Sequence, residues 1–186
     1  MRIVGGEYRG RPLAAPKSSA IRPTSDRTRE SLFNILSHSY PESLDGTRVL
    51  DLFSGTGALG IEALSRGARY CLFVEESAEG RGLVRENAEA FSLQGKTRIF
   101  RRDATDLGPA GPIDPFDLVF ADPPYGKGLG ERALVGAAEN GWLLDGALII
   151  LEEAATANAS LPGHFSLLES RAYGESVICI LKWRKP

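Results

Sequence analysis

Two groups of residues in this 186-residue sequence have types and spacings that could carry out chemistry. The first is the glycine-rich stretch Asp51–Gly60, in which three glycines have GxGxxG spacing directly after an apolar run. An acid, Glu75, ends the next apolar run about 20 residues further on. The second group is the tetrapeptide Asp122–Tyr125, of sequence Asp-Pro-Pro-Tyr. The glycine pattern is typical of a loop that binds a nucleoside-containing ligand at a helix N-terminus.

Asp51 indicates which nucleoside ligand this loop binds. A carboxylate beside the pyrophosphate of a dinucleotide would be repelled, whereas S-adenosylmethionine has no phosphate and carries a sulfonium and an ammonium cation. We therefore expect Asp51 to bind those cations and Glu75 to accept hydrogen bonds from the ribose hydroxyls. Asp103 and Ala104, just after the third strand-like run, are expected to contact the adenine. The alternative for Asp51 is a carboxylate that only orders the loop or caps the following helix.

The Asp122–Tyr125 tetrapeptide follows a strand-like run, so in an open α/β sheet it would face the Asp51 loop across one crevice. Its residues suit methyl transfer to a planar exocyclic amine, whose lone pair is delocalised into the ring. The Asp122 carboxylate and the Pro123 carbonyl can accept the two amine hydrogens and direct the lone pair toward the sulfonium. Tyr125 can stack on a flipped-out base, a contact worth roughly 1–3 kcal/mol. The alternative is a tight turn with an aromatic plug.

The elements that must position these groups are short apolar strands alternating with helix-like stretches. Predicted strands lie at Arg48–Phe53, Tyr70–Glu75, Thr97–Phe100, Phe116–Ala121, Ala147–Glu152, Ser166–Ser170 and Ser176–Trp183. Predicted helices among the first five strands lie at Ala58–Arg66, Ala78–Ser92 and Glu131–Asn140, and a loop at Asp106–Pro115. This alternation predicts an α/β fold, with a Rossmann-like, mostly parallel seven-stranded sheet that ends in an antiparallel hairpin.

A different segment precedes the sheet. Residues 2–7 and 11–14 are predicted to form a small β-hairpin, residues 16–21 a linker, and Thr24–Ser39 a helix with Thr24 or Ser25 as N-cap. The predicted apolar face of that helix carries Thr28, Leu32, Ile35 and Leu36. Its N-terminus is a ready anion site, so Thr24 could bind the methionine carboxylate of the cofactor. We therefore divide the chain into a basic hairpin arm with linker, residues 1–23, and a methyl-transfer domain, residues 24–186.

Charge is unevenly distributed along the chain. The net charge is −2, but residues 1–35 hold seven basic and three acidic side chains, against 15 and 21 in the rest. Such a segment is either a polyanion-binding surface or a solvated terminus. No apolar run could cross a bilayer, and no secretory h-region begins the sequence. Two cysteines without a CxxC partner and two isolated histidines favour a reduced, cytoplasmic protein with no metal site.

Together, Asp51–Gly60 and Asp122–Tyr125 resemble the motifs of class I S-adenosylmethionine-dependent amino-methyltransferases. The N-terminal signature narrows the resemblance to the RsmD family, bacterial enzymes that methylate the N2 amine of one guanine, nucleotide 966, in 16S ribosomal RNA. That signature consists of the arginine-containing stretches Arg2–Gly6, Arg9–Arg11, Arg22–Arg27 and Arg29–Asn34. The likeness continues through Gly57–Gly67 and Asn140–Leu143 and covers nearly the whole chain.

The resemblance implies a role for each matching residue. Cofactor binding is assigned to Thr24, Asp51, Ser54, Gly55, Thr56, Gly57, Glu75, Asp103 and Ala104, and contact with the target amine and its base to Asp122, Pro123 and Tyr125. Phosphate contacts are assigned to Arg2, Arg9, Arg11, Arg22 and Arg29, which should make RNA affinity fall with salt. Glu76 could replace Glu75 at the ribose, although strand alternation favours Glu75. The implied partner is 16S rRNA in the small ribosomal subunit or its assembly intermediate, bound by a monomer without membrane or metal.

Other functions remain open on the sequence alone. A methyltransferase of the same fold could act on adenine N6 or a protein glutamine, although Asp122 stands where such enzymes usually have asparagine. A non-catalytic nucleotide- or RNA-binding module would explain the glycine loop and the basic arm but not Asp122–Tyr125. An NAD-dependent oxidoreductase would fit the glycine spacing but not a carboxylate at Asp51.

Overall fold

Strands and helices alternate along the chain in the predicted order in a computed structural model that describes all residues, Met1–Pro186. The strands are Arg48–Leu52 (β1), Tyr70–Val74 (β2), Thr97–Phe100 (β3), Phe116–Ala121 (β4), Leu143–Ala154 (β5), Phe165–Tyr173 (β6) and Ser176–Trp183 (β7). The helices are Asp26–Ser39 (α1), Ala58–Ser65 (α2), Ala78–Ala90 (α3) and Leu129–Glu139 (α4), with 3-10 turns at Pro41–Ser43 and Gln94–Lys96. Ser25, one of the two predicted N-caps, caps the first helix and accepts from the Thr28 N–H at 3.1 Å, so the helix itself begins at Asp26 rather than at Thr24.

All seven strands form one sheet in the order β3-β2-β1-β4-β5-β7-β6. Strands β1 to β5 pair in parallel, and β7 pairs antiparallel with both β5 and β6. This confirms the predicted mostly parallel sheet with an antiparallel end. The strand order reverses between β1 and β4, so the carboxyl ends of these two strands border one crevice. Asp51 lies level with Phe120, and Asp122 follows directly after β4, so both motifs reach that crevice edge.

Both faces of the sheet are covered, as near-continuous apolar strands require. Buried residues of α1, α2 and α3 share one core with the sheet, and α4 shares the other. Trp142 completes the second core, where it is fully buried and donates its indole N–H to the Gly108 carbonyl at 2.7 Å. None of the helices has the length and apolar character that a membrane span requires.

The N-terminal segment forms a short hairpin that lies against the body of the protein. Its two arms are joined by an antiparallel β-bridge between Arg2 and Pro12 and by backbone hydrogen bonds from the Ile3 N–H to the Arg11 carbonyl at 3.0 Å and from the Leu13 N–H to the Met1 carbonyl at 2.9 Å. Ile3 and Leu13 are buried in the core that α1, α2 and α3 share. The Ala14 N–H extends this attachment by donating to a side-chain oxygen of α3 at 2.8 Å. Contacts with the helices of the domain therefore hold this segment in place.

One buried carboxylate fastens this segment to the helices beneath it. Glu62 of α2 is fully buried and accepts hydrogen bonds from the Val4 and Gly5 N–H groups, each at 3.0 Å. It also pairs with the Nε atoms of Arg29 at 3.2 Å and Arg66 at 3.0 Å. Arg29 is itself fully buried, so the assignment of Arg29 to RNA phosphates is wrong. Its guanidinium neutralises Glu62 inside the protein and has no surface to offer a ligand.

Candidate active site

A cleft of about 1070 Å³ opens at the carboxyl ends of β1 and β4. That volume is at the upper end of ordinary ligand pockets, which suits a site that holds two partners at once. Predicted site residues that line it are Arg22, Thr24, Ser54, Gly55, Thr56, Glu75, Asp103, Ala104, Asp122, Pro123 and Tyr125. Asp51 and Gly57 lie beneath the lining. Residues 20–25, ahead of α1, form the wall opposite the strand ends.

The glycine loop turns back on itself between β1 and α2. Gly57 has a φ of 79° and forms the N-cap of α2, and a Cβ there would lie only 3.0 Å from Val84 Cγ2. A Cβ on Gly60 would lie 2.6 Å from Cys71 Sγ, so this glycine lets α2 approach β2 closely. Of the three glycines in the motif, only Gly55 borders the cleft. The spacing therefore serves helix packing at two positions and ligand access at one.

Asp51 lies under this loop with only 1% of its surface exposed. Its Oδ2 accepts a hydrogen bond from the Gly60 N–H, in the first turn of α2, at 3.1 Å. Burial raises the pKa of the Asp51 carboxyl well above its usual range, and the nearby carboxylates of Asp122 and Glu75 raise it further. The contact with Gly60 is the loop-ordering contact considered as the alternative for this residue. Its role toward a bound cation stays a prediction.

Glu75 and Asp103 line the part of the cleft beside the glycine loop and the end of β3. Glu75 accepts the Gly55 N–H at 2.8 Å and the Ser77 hydroxyl at 2.8 Å, so it is Glu75 that faces the glycine loop. Asp103 accepts the Thr105 hydroxyl at 2.7 Å through Oδ1. That hydrogen bond and the one from the Thr105 N–H lower the pKa of Asp103, so it is an anionic acceptor at neutral pH.

A hydrogen-bonded network joins the other side of the cleft. The Thr24 hydroxyl lies 3.3 Å from Asp122 Oδ2 and 3.3 Å from Glu152 Oε2. The Tyr125 hydroxyl donates to Glu152 Oε1 at 2.8 Å, which fixes the ring at the cleft wall. Thr24, predicted to meet the methionine carboxylate, here faces two carboxylates of the protein. Its cofactor role stays a prediction.

The network changes the protonation of its members. Burial raises the pKa of the Asp122 carboxyl well above its usual range, and the facing Glu152 carboxylate raises it further. Burial and then the hydrogen bond to Glu152 raise the pKa of the Tyr125 hydroxyl, which therefore stays protonated. Asp122 thus stands in a site that favours its neutral form until a ligand supplies hydrogen-bond donors or positive charge.

Glu152 is the functional candidate that the sequence reasoning missed. It is the last residue of the predicted fifth strand, and the sequence pattern predicts no role for it. Ala121 at the end of β4 pairs with Leu151 of β5, so the residues that follow on the two parallel strands, Asp122 and Glu152, lie near each other. Phe53, Arg102 and Tyr173 also line the cleft without having been singled out.

The predicted RNA-binding arginines fall into two groups. Arg22 lies at the cleft, its side chain 75% exposed and its guanidinium 5.9 Å from the centre of the Tyr125 ring. Arg2, Arg9 and Arg11 are exposed on the N-terminal segment, and their contacts with RNA phosphates stay a prediction. Arg11 also packs on an aromatic side chain of the body. The exposed arginines therefore border the cleft or lie on the segment that covers the domain.

A protein family, two named bacterial proteins and a solved structure are similar to this chain over nearly its whole length. The family model described as "Conserved hypothetical protein 95" matches residues 1–182. The Escherichia coli protein named ribosomal RNA small subunit methyltransferase D is 39% identical over 94% of this chain and 86% of its own length. A Haemophilus influenzae protein of the same name is 34% identical over 94% of this chain and 89% of its own. The solved structure of yhhF from Escherichia coli has a TM-score of 0.87 at 34% identity and covers all of this chain and 99% of its own.

Proposed function

This chain belongs to the RsmD family of ribosomal RNA small subunit methyltransferases, and we propose that it transfers a methyl group from S-adenosylmethionine to a guanine N2 amine of 16S rRNA. The observation that carries the proposal is that the Asp122–Tyr125 acceptors and the glycine loop line one cleft. The fold is that of class I methyltransferases, which supports the same conclusion.

The residues of the cleft fit this cofactor. Glu75 and Asp103 line the cleft with carboxylate oxygens that can accept from the hydroxyl and amine donors of a nucleoside. The floor between β1 and β4 is acidic, and Arg22 is the basic side chain that lowers the pKa of Asp122. A sulfonium and an ammonium group would supply the positive charge that this floor lacks. When bound, S-adenosylmethionine supplies an electrophilic methyl group.

The residues of the chain act mainly by positioning the target. The Asp122 carboxylate and the Pro123 carbonyl accept the hydrogens of the exocyclic amine, so that its lone pair is directed at the methyl group. Tyr125, held by Glu152, supplies a flat surface for a base flipped from its stack. Holding reactants in line in this way contributes about 7–11 kcal/mol in well-oriented systems.

The residues that can bind RNA phosphates are exposed arginines. Arg22 lies at the mouth of the cleft, and Arg2, Arg9 and Arg11 extend a basic surface along the N-terminal segment. We propose that these four residues contact backbone phosphates of the small-subunit RNA, while Arg29 takes no part because it is buried.

Replacing Asp122 by alanine tests the role of the tetrapeptide. Single-turnover methylation of small-subunit particles should fall about 10²–10³-fold, because a positioned acceptor is lost. The dissociation constant of the cofactor, measured by calorimetry, should change far less. Asp106→Ala, at an exposed loop position, is the matched control and should match the wild type in both measurements. Equal losses of turnover and cofactor affinity in Asp122→Ala would contradict the assigned role.

A further inference from the structure

Glu152 is a buried acid of the cleft that methyl transfer as described does not use directly. It has 9% of its surface exposed and lines the cleft beside Asp122. Both of its carboxylate oxygens face the target side, because one accepts from Tyr125 and the other lies 3.3 Å from the Thr24 hydroxyl. A buried carboxylate needs partners, and each of its oxygens still has an unused lone-pair direction.

When both carboxyl groups are ionised, as a bound ligand with donors or positive charge favours, Asp122 and Glu152 together have more acceptor capacity than the protein supplies with donors. One hydroxyl, that of Thr24, spans the gap between them, and a hydroxyl has a single hydrogen to donate. Its distance of 3.3 Å to each oxygen is long for a hydrogen bond of this type. The pair therefore presents acceptors toward the cleft and favours a ligand edge that carries several adjacent donors.

Purine edges differ in this respect. The Watson–Crick edge of guanine presents the ring N1–H beside the two hydrogens of the N2 amine, a continuous row of donors. The corresponding edge of adenine presents its amine beside N1, which is an acceptor with no hydrogen. A carboxylate placed next to the amine-binding residue accepts from the first edge and repels the second.

We propose that Glu152 selects guanine by accepting a hydrogen bond from the ring N1–H while Asp122 and Pro123 hold the adjacent N2 amine. The inference rests on the proposed function, because it names the group that reads the base in that same site. Glu152 then has two tasks: it holds the Tyr125 ring and it excludes a purine whose N1 lacks a hydrogen. Buried groups left unpaired by the wrong base make such a site selective.

The test compares two target bases that both carry the 2-amine. Small-subunit particles are reconstituted with RNA in which the target guanine is kept or replaced by 2-aminopurine, whose N1 has no hydrogen. Tritium transfer gives kcat/KM for each substrate. The wild type should prefer guanine roughly 100-fold, the size expected for a lost bond to a charged acceptor. Glu152→Gln, whose amide can donate to N1, should reduce that preference at least about tenfold.

Glu153→Gln is the matched control, because it makes the same change one residue further along β5. Glu153 is buried, lines no part of this cleft, and uses one oxygen, Oε1, to accept from the Gly126 and Ala154 N–H groups. A glutamine carbonyl can keep both contacts, so this variant should retain the wild-type preference. A general structural loss would lower kcat/KM for both substrates together and leave the ratio of the two values unchanged.

The outcomes separate the inference from the proposed function. A preference that collapses in Glu152→Gln alone supports selection by Glu152. An unchanged preference in Glu152→Gln, an equal collapse in Glu153→Gln, or a weaker cofactor affinity in Glu152→Gln with no change in preference overturns it. A wild-type protein that does not methylate the particle with the target guanine overturns the proposed function, and the inference with it.

Discussion

Replacing Glu62 by glutamine should destabilise the protein more than any comparable change at its surface. Glu62 is fully buried, and its two oxygens serve four donors: the N–H groups of Val4 and Gly5 and the Nε atoms of Arg29 and Arg66. Arg29 is equally buried, so when Glu62 loses its charge the guanidinium keeps only the half-exposed Asp26 carboxylate, 2.9 Å away, as an ionic partner. An amide keeps the shape but removes the charge and puts two hydrogens where acceptors are needed.

The size of the loss follows from this arrangement. Removing one partner of a buried ion pair costs about 3–5 kcal/mol, and the retained amide oxygen places glutamine at the lower end, about 3 kcal/mol. For a domain of this length that corresponds to a decrease in Tm of about 6–12 °C. Natural domains have about 5–15 kcal/mol of stability, so the variant should remain folded at room temperature.

Thermal and urea unfolding of three variants provides the assay. Glu86→Gln, an exposed change on α3, should stay within about 0.5 kcal/mol of the wild type. Adding Arg29→Met to Glu62→Gln should recover part of the loss, because it removes the fully buried cation that Glu62 no longer neutralises, whereas the Arg66 side chain reaches solvent. A loss below about 1 kcal/mol in Glu62→Gln, or no recovery in the double variant, would refute the reasoning.

Two further predictions concern the cleft. The raised pKa of Asp122 means that the folded protein binds this proton more tightly than the unfolded chain, so the stability it contributes falls as pH rises from the unfolded value through the folded one. Asp122→Asn should therefore raise Tm more at pH 8 than at pH 5, and a pH-independent difference would contradict this. Arg22→Ala should weaken RNA binding and reduce the slope of log affinity against log salt concentration by about 1. Filter binding between roughly 50 and 200 mM salt measures this slope, and an unchanged slope would contradict a phosphate contact by Arg22.

The sheet could be predicted from the sequence because its strands are continuous apolar runs separated by helices. The predicted bounds were least accurate for the fifth strand, which is predicted at Ala147–Glu152 and found at Leu143–Ala154. Gly146 has a φ of 84° and lies where the pairing of β5 with β4 shifts register. Because Asp145 and Gly146 are residue types typical of turns, the sequence predicts that the strand begins only after them. Local composition does not show that a strand continues beyond such an irregularity.

The site was less predictable than the fold, because its contacts join distant parts of the chain. Periodicity placed Leu32 and Leu36 correctly in the core, but it gave no reason to bury Arg29 beside them. The buried carboxylate that neutralises Arg29 there, Glu62, comes 33 residues later on another helix. Glu152 was missed for the same reason, since its significance depends on the tyrosine hydroxyl it binds 27 residues earlier in the chain.

The identity of the methylated nucleoside tests the central claim most directly. The protein is incubated with tritiated S-adenosylmethionine and small subunits from a strain lacking its gene, and the RNA is digested to nucleosides and separated. The account predicts label in N2-methylguanosine, absent from subunits that already carry the modification. Label in a methyladenosine or in protein would contradict the guanine assignment, and no label from a protein that binds the cofactor would contradict catalysis itself.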